Sequence, residues 1–392
     1  MVIPQLALKN LLGAGIRTWL NVVVLSFAFV AIIGLQGIYE GMNNQAVNAL
    51  TDAEYGGGQY WQENYDPYEP LSLPDAHAPL PEALIGLKDE GLAAPVLIVQ
   101  GTIYPSGRIQ PVLIKGIDPE QSVISIPTHF LDSEEDVKLP ALIGTRMAKN
   151  AGLKKGDIIT VRWRDAKGTF DAKDVCIVQV MRTTAQSVDL GQIWVPLKKI
   201  QELARMPNEA SLVVLAKDTE PLKEGLAGWD FKNLGFLLKD ITELVEAKTV
   251  GSSIMYVILL LLAMLAIFDT QVLSIFRRRK EMGTLMALGF TRAKVIKLFT
   301  LEGAMHGVLA ALVAAIYGTP LLIIFAKKGW AMPENVDSYG FALGDKLIPI
   351  YGVGLIIGTI VLVLVVTTLV SFLPTRKIAK LKPTDALRGR MS

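Results

Sequence analysis

The sequence predicts an α-helical membrane protein with four transmembrane helices and a large mixed α+β extracytoplasmic domain inserted between helices 1 and 2. The composition points away from a soluble protein, because 51% of the 392 residues are hydrophobic and only 19% are charged. Soluble domains carry about 25% charged residues. Four long apolar stretches account for the difference. The segment between the first two is long enough to fold around a core of its own.

The four apolar stretches lie at about 19–39, 254–276, 301–325 and 347–373. Each can cross a bilayer, which takes roughly 20 helical residues. Lys9 and Arg17 precede the first stretch, as they would precede a cleavable signal peptide. Its apolar core is longer than the usual signal-peptide core, however, and no A-x-A cleavage site follows it. We therefore expect a retained signal anchor.

Basic residues beside the spans predict the orientation, because Lys and Arg collect on the cytoplasmic side of a membrane. The connection after the second span and the tail after the fourth are strongly basic, whereas the loop between the third and fourth is balanced. We expect a multi-pass membrane protein with both termini in the cytoplasm. The residues assigned as cytoplasmic anchors are Arg277, Arg278, Arg279, Lys280, Arg376 and Arg388.

This topology divides the chain into three parts. Residues 1–39 form the cytoplasmic N-terminus and the first span, and residues 40–253 form a periplasmic domain. Residues 254–392 hold spans two to four, the connection between spans two and three, and the cytoplasmic tail.

The periplasmic domain shows mostly strand-like patterns. Apolar runs at 96–104 and 110–116 flank a turn at 105–108 and predict a β-hairpin. Further short strands are predicted at 158–163, 175–181, 193–195 and 212–216. Residues 141–152 have a helical pattern that ends at Gly152. Apolar residues at helical spacing predict an amphipathic helix leading into span two: Leu237, Leu238, Ile241, Leu244 and Val245.

The connection between spans two and three reads FRRRKEMGTLMALGFTRAKVIKLFTLEG. Met282, Leu285 and Met286 fall at i, i+3 and i+4 and predict a short helix with one apolar stripe. Gly289 is placed to end that helix in a left-handed conformation, and Thr291 to cap the next one. The cations alone are equally typical of topogenic charge on an interfacial helix. A short capped helix with an exposed methionine-rich face also suits docking to a cytoplasmic partner.

At these residues the sequence resembles the permeases grouped with FtsX, MacB and LolC/LolE. The shared pattern is a basic run, then Glu-x-Gly-x-x-x-Ala-Leu-Gly, then a capped helix with Glu near the start of the third span. The matching positions are Glu281, Gly283, Ala287, Leu288, Gly289 and Glu302. The tail resembles the family's closing motif at Pro374, Arg376, Pro383, Ala386, Leu387 and Arg388.

The resemblance implies that residues about 278–289 form a coupling helix that docks on an ABC ATPase dimer. The residues expected to make that contact are Glu281, Met282, Gly283, Leu285, Met286, Ala287, Leu288 and Gly289. It also implies a second permease subunit, identical or homologous, and a periplasmic carrier, adaptor or enzyme. Membrane lipid is an expected partner, and nucleic acid is not.

No nucleotide site is expected in this chain. A P-loop requires Gly-x-x-x-x-Gly-Lys-Ser/Thr, and no Gly-Lys dipeptide occurs in the sequence. We therefore expect a non-catalytic permease without a cofactor, and ATP and Mg bound by the partner ATPase. The lone Cys176 excludes an internal disulfide, and the three histidines have no metal-ligand spacing.

Several features inside the spans leave alternatives open. Small residues recur every four positions at Gly303 and Gly307 and again at Gly354 and Gly358, which suits either packing within one protomer or a dimer interface. Asp269 and Glu302 lie in the cytoplasmic halves of their spans, where solvation or pairing with nearby cations explains them. A proton relay from Glu302 to His306, which share a helix face at i and i+4, is a less favoured alternative for Glu302.

The segments EYGGGQYWQENYDPYEPLSL and SVDLGQIWVPLKKIQEL resemble LolE-type permeases, which implies release of lipoproteins from the inner membrane. Two alternatives remain within the family: a mechanotransmission permease that regulates a periplasmic enzyme, and MacB-like efflux with a periplasmic adaptor. A secondary transporter would need more spans and polar residues at the midplane, and a channel would need a polar lining. The aromatic residues after the first span are expected to pack or to anchor at the membrane interface: Tyr55, Tyr60, Trp61, Tyr65 and Tyr68.

Overall fold

The computed structural model describes residues 15–132, 138–223, 225–331 and 346–378, together with Gln5, Ala7 and Gly13. The chain divides into two compact units. The helical unit comprises Met1–Met42, Leu244–Ala331 and Lys346–Ser392, and the α/β unit comprises Asn43–Glu243 and Met332–Asp345.

The helices, in chain order, are α1 (Ile16–Leu50), α2 (Glu82–Asp89), α3 (Thr145–Ala151), α4 (Gln186–Asp189), α5 (Leu197–Ala204), α6 (Leu234–Leu237), α7 (Lys239–Arg277), α8 (Arg279–Ala287), α9 (Arg292–Lys328) and α10 (Val353–Ile378). The strands are β1 (Gly58–Gln62), β2 (Ala78–Pro79), β3 (Ala93–Ile103), β4 (Gln110–Ile117), β5 (Leu139–Gly144), β6 (Ile158–Arg164), β7 (Phe170–Met181), β8 (Gln192–Pro196), β9 (Glu209–Ala210), β10 (Leu212–Leu215), β11 (Trp229–Lys232), β12 (Trp330–Ala331) and β13 (Lys346–Leu347).

Four helices of the described chain are long and apolar enough to cross a membrane, and they fall within α1, α7, α9 and α10. All four predicted apolar stretches are therefore helical in their central parts. Their shared core in the helical unit contains side chains from all four helices, among them Phe29, Met264, Ala310 and Val363. Many outward side chains are large and apolar, such as Leu265 and Ile316 at 65% and 77% exposed, as expected for a surface that faces lipid.

The fourth span begins later than predicted. We expected a helix from about 347, but Lys346–Leu347 is strand β13 and α10 starts only at Val353. Pro349 interrupts the apolar run because it has no N–H to donate within a helix. The segment instead packs on α1, where the Ile350 N–H donates to the Gly37 carbonyl at 2.9 Å.

A single nine-stranded mixed sheet forms the frame of the α/β unit, in the order β11-β1-β10-β3-β4-β8-β5-β7-β6. An additional pairing of β3 with β6 closes the last six strands into a barrel. Strand β3 makes this possible because its first residues pair with β10 while its later residues pair with β4 and β6. The barrel interior is filled by apolar side chains, including Leu97, Ile114, Ile143, Ile177 and Ile193.

The predicted strands at 158–163, 175–181, 193–195 and 212–216 are present, and one predicted helix is wrong in its first third. The hairpin is formed by β3 and β4, and the remaining predicted strands correspond to β6, β7, β8 and β10. Residues 141–144, expected to be helical, belong to strand β5, which is buried along its whole length between β7 and β8. The helix starts at Thr145, and Gly152 caps it in the predicted left-handed conformation with φ of 68°.

The helix of the first span continues into the α/β unit without a break. Helix α1 runs to Leu50 and is followed by a π-helical turn, Thr51–Tyr55, that leads into β1. Most of the predicted amphipathic segment is helical. Leu237 ends α6, Leu238 is a turn residue, and Ile241, Leu244 and Val245 lie in α7, the helix that contains the second span. Two of the places where the chain passes between the units, 42–43 and 243–244, therefore lie inside helices.

Candidate functional site

The connection between the second and third long helices is a short helix, α8, followed by a tight turn. Gly289 in that turn has φ of 91°, a conformation that favours glycine. The Thr291 side chain then accepts a hydrogen bond from the Lys294 N–H at 3.4 Å and begins α9. The helix, glycine and cap thus occupy the positions that the sequence predicted.

Arg278 lies between α7 and α8 and connects α8 to α9. Its Nη1 atom donates to both carboxylate oxygens of Glu302, at 2.8 and 2.9 Å, and its Nε atom donates to Glu281 Oε2 at 2.7 Å. The guanidinium carbon also lies 5.0 Å from the ring centre of Phe299. Because the Glu302 side chain is only 7% exposed, this ion pair is shielded from solvent, and it ties the start of α8 to the third long helix.

Two of the three residues of the predicted apolar stripe of α8, Leu285 and Met286, are half-buried. Met286 is half-buried and packs with Phe290 against Val295 and Phe299. Leu285 is also half-buried, and Gly283 is buried. Met286 turns inward because two buried apolar side chains on α9, Val295 and Phe299, pack against it.

A different set of residues on α8 and its C-cap is accessible. Glu281, Thr284 and Leu288 are exposed, and their i, i+3 and i+7 spacing puts them on one face. Leu288 is the large apolar residue among them, with 75% of its surface exposed. The Met282 and Ala287 side chains are not described.

The predicted basic anchors have different surroundings. Arg277 is exposed at the end of α7, whereas Arg278 is the half-buried ion-pair centre. Arg376 is exposed near the end of α10. The side chains of Arg279 and Lys280 are not described, and Arg388 lies outside the described residues together with Pro383, Ala386 and Leu387.

The polar and small residues of the long helices separate into two groups. Gly307 packs within the chain, since a Cβ there would lie 2.8 Å from Thr367 Oγ1 on α10. Gly354 and Gly358 are exposed and have no described atom near the position of a Cβ. His306 bonds through Nδ1 to the Glu302 backbone carbonyl at 3.0 Å, not to its carboxylate, so this geometry provides no side-chain relay between the two residues.

A second buried polar centre lies in the α/β unit, and the sequence analysis missed it. Glu54, in the π-helical turn after α1, accepts a hydrogen bond from Lys115 Nζ on β4 at 2.5 Å. It also accepts one from Ser187 on α4 and one from Gln192 Nε2 on β8 at 3.2 Å. No sequence pattern marks this glutamate, because its partners are far away along the chain.

The charge and hydrogen bonds around Glu54 determine its ionisation. Burial raises the pKa of the carboxyl, but the Lys115 charge and the hydrogen bonds from Lys115, Ser187 and Gln192 outweigh burial and leave the pKa below its ordinary value. Glu54 is therefore ionised at neutral pH. It fixes the end of α1 to the sheet through three separate elements.

Comparison with known families decides the identity of the chain. The family described as "MacB-like periplasmic core domain" matches residues 18–226, more than half of the chain. The description "FtsX-like permease C-terminal" matches residues 253–383. The chain belongs to the FtsX/MacB/LolC family of ABC transporter permeases. The α/β unit is thus the MacB-like core, and α8 lies in the FtsX-like region.

Individual relatives of this permease are distant. The lipoprotein-releasing system transmembrane protein LolC of Neisseria meningitidis is 22% identical over 76% of this chain and 77% of its own length. An ABC transporter permease of Methanocaldococcus jannaschii is 23% identical over 65% of this chain and 64% of its own. The macrolide export ATP-binding/permease protein MacB of Wolinella succinogenes is 22% identical over 59% of this chain but only 33% of its own.

Proposed function

We propose that this permease is the membrane subunit of an ABC transporter in which a separate ATPase subunit drives movement of the α/β unit. The single observation that carries the proposal is the elbow formed by α8, Gly289 and the capped start of α9, with Arg278 bonded to Glu302 across it. A force on α8 would reach α9 through this ion pair. ATP and Mg would be bound by the partner, in keeping with the absence of a P-loop sequence in this chain.

In this proposal the exposed face of α8 contacts the ATPase. Glu281, Thr284 and Leu288 would make direct contact, while Gly283, Leu285 and Met286 hold the helix on its support. Arg277 and Arg376 are exposed near the ends of α7 and α10, and they would keep these two helix ends on the cytoplasmic side. The α/β unit would then lie in the periplasm of a bacterial inner membrane.

The cargo that we propose is a lipoprotein released from the inner membrane. Support comes from the length over which the LolC relative matches, 77% of that protein and 76% of this chain. Release would also require a second permease subunit and a periplasmic carrier. The exposed glycines Gly354 and Gly358 offer a surface where a second permease helix can approach closely.

MacB-like efflux is the second candidate, because the α/β unit matches the MacB-like core description. In that case the chain would work with a periplasmic adaptor instead of a lipoprotein carrier. Regulation of a periplasmic enzyme by mechanical transmission is the remaining alternative, and it would require no transported cargo.

Purification in mild detergent from the native membrane, followed by mass spectrometry of the bound proteins and lipids, tests these proposals together. We expect an ABC ATPase, a second permease and a lipidated protein. An ATPase with an adaptor and no lipidated protein would move the function to efflux, and an ATPase with a stable periplasmic hydrolase would move it to regulation. Recovery of the intact chain without any ATPase, under conditions that preserve another ABC complex of the same membrane, would contradict coupling.

A further inference from the structure

The α/β unit contains a cavity of about 430 Å³ with five aromatic side chains among its lining residues. This volume is within the usual range for small-molecule sites, roughly 300–1,000 Å³. The aromatic lining residues are Tyr55, Trp61, Tyr65, Tyr68 and Phe236. Leu50 on α1 and Leu237 and Ile241 near the α6–α7 junction complete its apolar walls.

The aromatic wall is held in place before any ligand binds. The Trp61 ring packs edge-on against Tyr65 and Phe236, with ring centres 5.1 and 5.8 Å apart. Its Nε1–H donates to Gln59 Oε1 at 2.7 Å, and Gln59 Nε2 donates in turn to the Glu54 backbone carbonyl at 2.9 Å. These contacts fix the ring orientation, so a ligand would meet a formed surface and lose little affinity to reordering.

The polar end of the cavity has an acceptor that is not satisfied. Gln192 lines the cavity and is only 5% exposed. Its Nε2 donates to the Glu54 carboxylate, which can only accept, so the amide orientation is set and Oε1 faces away from that carboxylate. Among the described residues, Oε1 receives no hydrogen bond. A buried acceptor without a donor is unfavourable by about 1–3 kcal/mol, so a ligand donor would be stabilised there.

The charges around the cavity disfavour an anion. Glu54 and Asp240 are its acidic lining residues, and Lys115 is its basic one. Lys115 is already bonded to Glu54, and Asp240 accepts a hydrogen bond from the Tyr68 hydroxyl. Lys232 lies over the Trp61 and Phe236 rings but is paired with Asp230 at 3.8 Å. The lining itself therefore has one excess negative charge.

We propose that this cavity binds a single-chain amphiphile whose head group is neutral or cationic and carries an N–H or O–H donor. The apolar chain would lie against the aromatic wall and the head group would donate to Gln192. Lining residue Ala46 lies on α1, about 10 Å of helix rise beyond the end of the predicted first span. The proposal does not depend on ATPase coupling.

Tryptophan quenching in the full chain, held in phospholipid nanodiscs, tests the proposal. The probes are three C12 chains with a terminal bromine that differ only in the head group: 12-bromododecylamine, 12-bromododecanol and 12-bromododecanoic acid. Trp61 is the reporter, and Trp61→Phe isolates its signal from the other five of the six tryptophans. We expect saturable quenching of Trp61 by the amine and the alcohol, and binding of the carboxylate that is weaker by roughly tenfold.

Two variants and one control determine whether the cavity is responsible. Gln192→Leu removes the acceptor and should weaken binding of the amine and of the alcohol by roughly tenfold. Ile241→Phe fills the cavity and should reduce binding of all three probes. Gln100→Leu, in an exposed glutamine on β3 outside this lining, should change nothing. Quenching that never saturates, or that is equal for the three head groups, would overturn the proposal. So would Ile241→Phe binding the amine as tightly as the parent chain.

Discussion

Arg278 shows how a residue within an apparently uniform basic run can have a role of its own. The four cations that begin with Arg277 look equivalent in the sequence, yet Arg277 is exposed while Arg278 bonds to two carboxylates and lies over Phe299. The sequence left two explanations open for Glu302, solvation or pairing with a nearby cation, and the structure shows the pairing. Which cation makes the pair depends on the turn between α7 and α8, which residue type alone does not define.

We predict that Arg278→Ala weakens the attachment of α8 to α9. Glu302, a buried carboxylate, would lose its guanidinium partner, and loss of one member of a buried pair costs on the order of 3 kcal/mol. The expected result is a lower unfolding midpoint of the purified permease and loss of stimulated ATP hydrolysis with the ATPase still bound. Arg277→Ala is the matched control and should leave both unchanged. Equal effects of the two variants would contradict the role assigned to Arg278.

The second residue-scale prediction concerns pH and Glu54. Its pKa is lowered in the folded state, so its ion pair contributes stability above the ordinary carboxyl pKa of about 4.5, and that contribution is lost as the pH falls through the lower folded value. We expect Glu54→Gln to reduce the free energy of unfolding at pH 7 and to flatten its decline below about pH 4.5. Denaturant unfolding across pH, with the exposed Glu69→Gln as control, measures this. A decline equally steep in both variants would exclude Glu54 as its source.

At the scale of elements, Gly289 determines where α8 ends. A residue with a Cβ is strained at φ of 91°, by about 1–2 kcal/mol for left-handed backbone. We predict that Gly289→Ala reduces ATP-driven activity by misdirecting the start of α9, while membrane insertion continues. Gly86→Ala, at an exposed glycine of helix α2 with open space around it, is the control. A fully active Gly289→Ala permease would show that the turn need not be left-handed for coupling.

The contact of α1 with the segment before α10 predicts that two glycine-to-alanine substitutions on α1 change the thermal unfolding midpoint in opposite directions. A Cβ at Gly41 would lie 2.2 Å from the Ile348 carbonyl oxygen, whereas at Gly34 the nearest atom would be 3.7 Å away, on Leu322. Alanine favours a helix over glycine by about 1 kcal/mol. We therefore expect Gly34→Ala to raise the thermal unfolding midpoint and Gly41→Ala to lower it. A higher midpoint for Gly41→Ala would mean that the segment does not pack as described.

Elements with local signals could be predicted from the sequence, and elements defined by distant partners could not. The Pro105 turn marked the hairpin, and Gly152 and Gly289 marked helix ends correctly. Residues 141–144 were mistaken for helix because a short apolar run looks alike in a buried strand and in a helix. The pairing of β3 with β6, which closes the barrel, and the Glu54 centre join residues far apart in the chain.

At the scale of the whole molecule, two of the places where the chain passes between the units lie inside helices. Helices α1 and α7 each extend from the helical unit into the α/β unit. An α-helix transmits displacement along its axis with little compression because its backbone is hydrogen-bonded throughout. The Glu54 centre fixes the far end of α1 to β4 and β8.

The central claim, that α8 contacts an ABC ATPase, is tested most directly by photocrosslinking at Leu288. A benzophenone amino acid at this exposed position would react with whatever contacts it, and the same group at Ile316, also exposed but in the middle of α9, serves as the control. We predict that Leu288 crosslinks to an ATPase identified by its peptide sequence and that Ile316 does not. Crosslinking of Leu288 to lipid alone, in a preparation that contains the ATPase, would contradict the account.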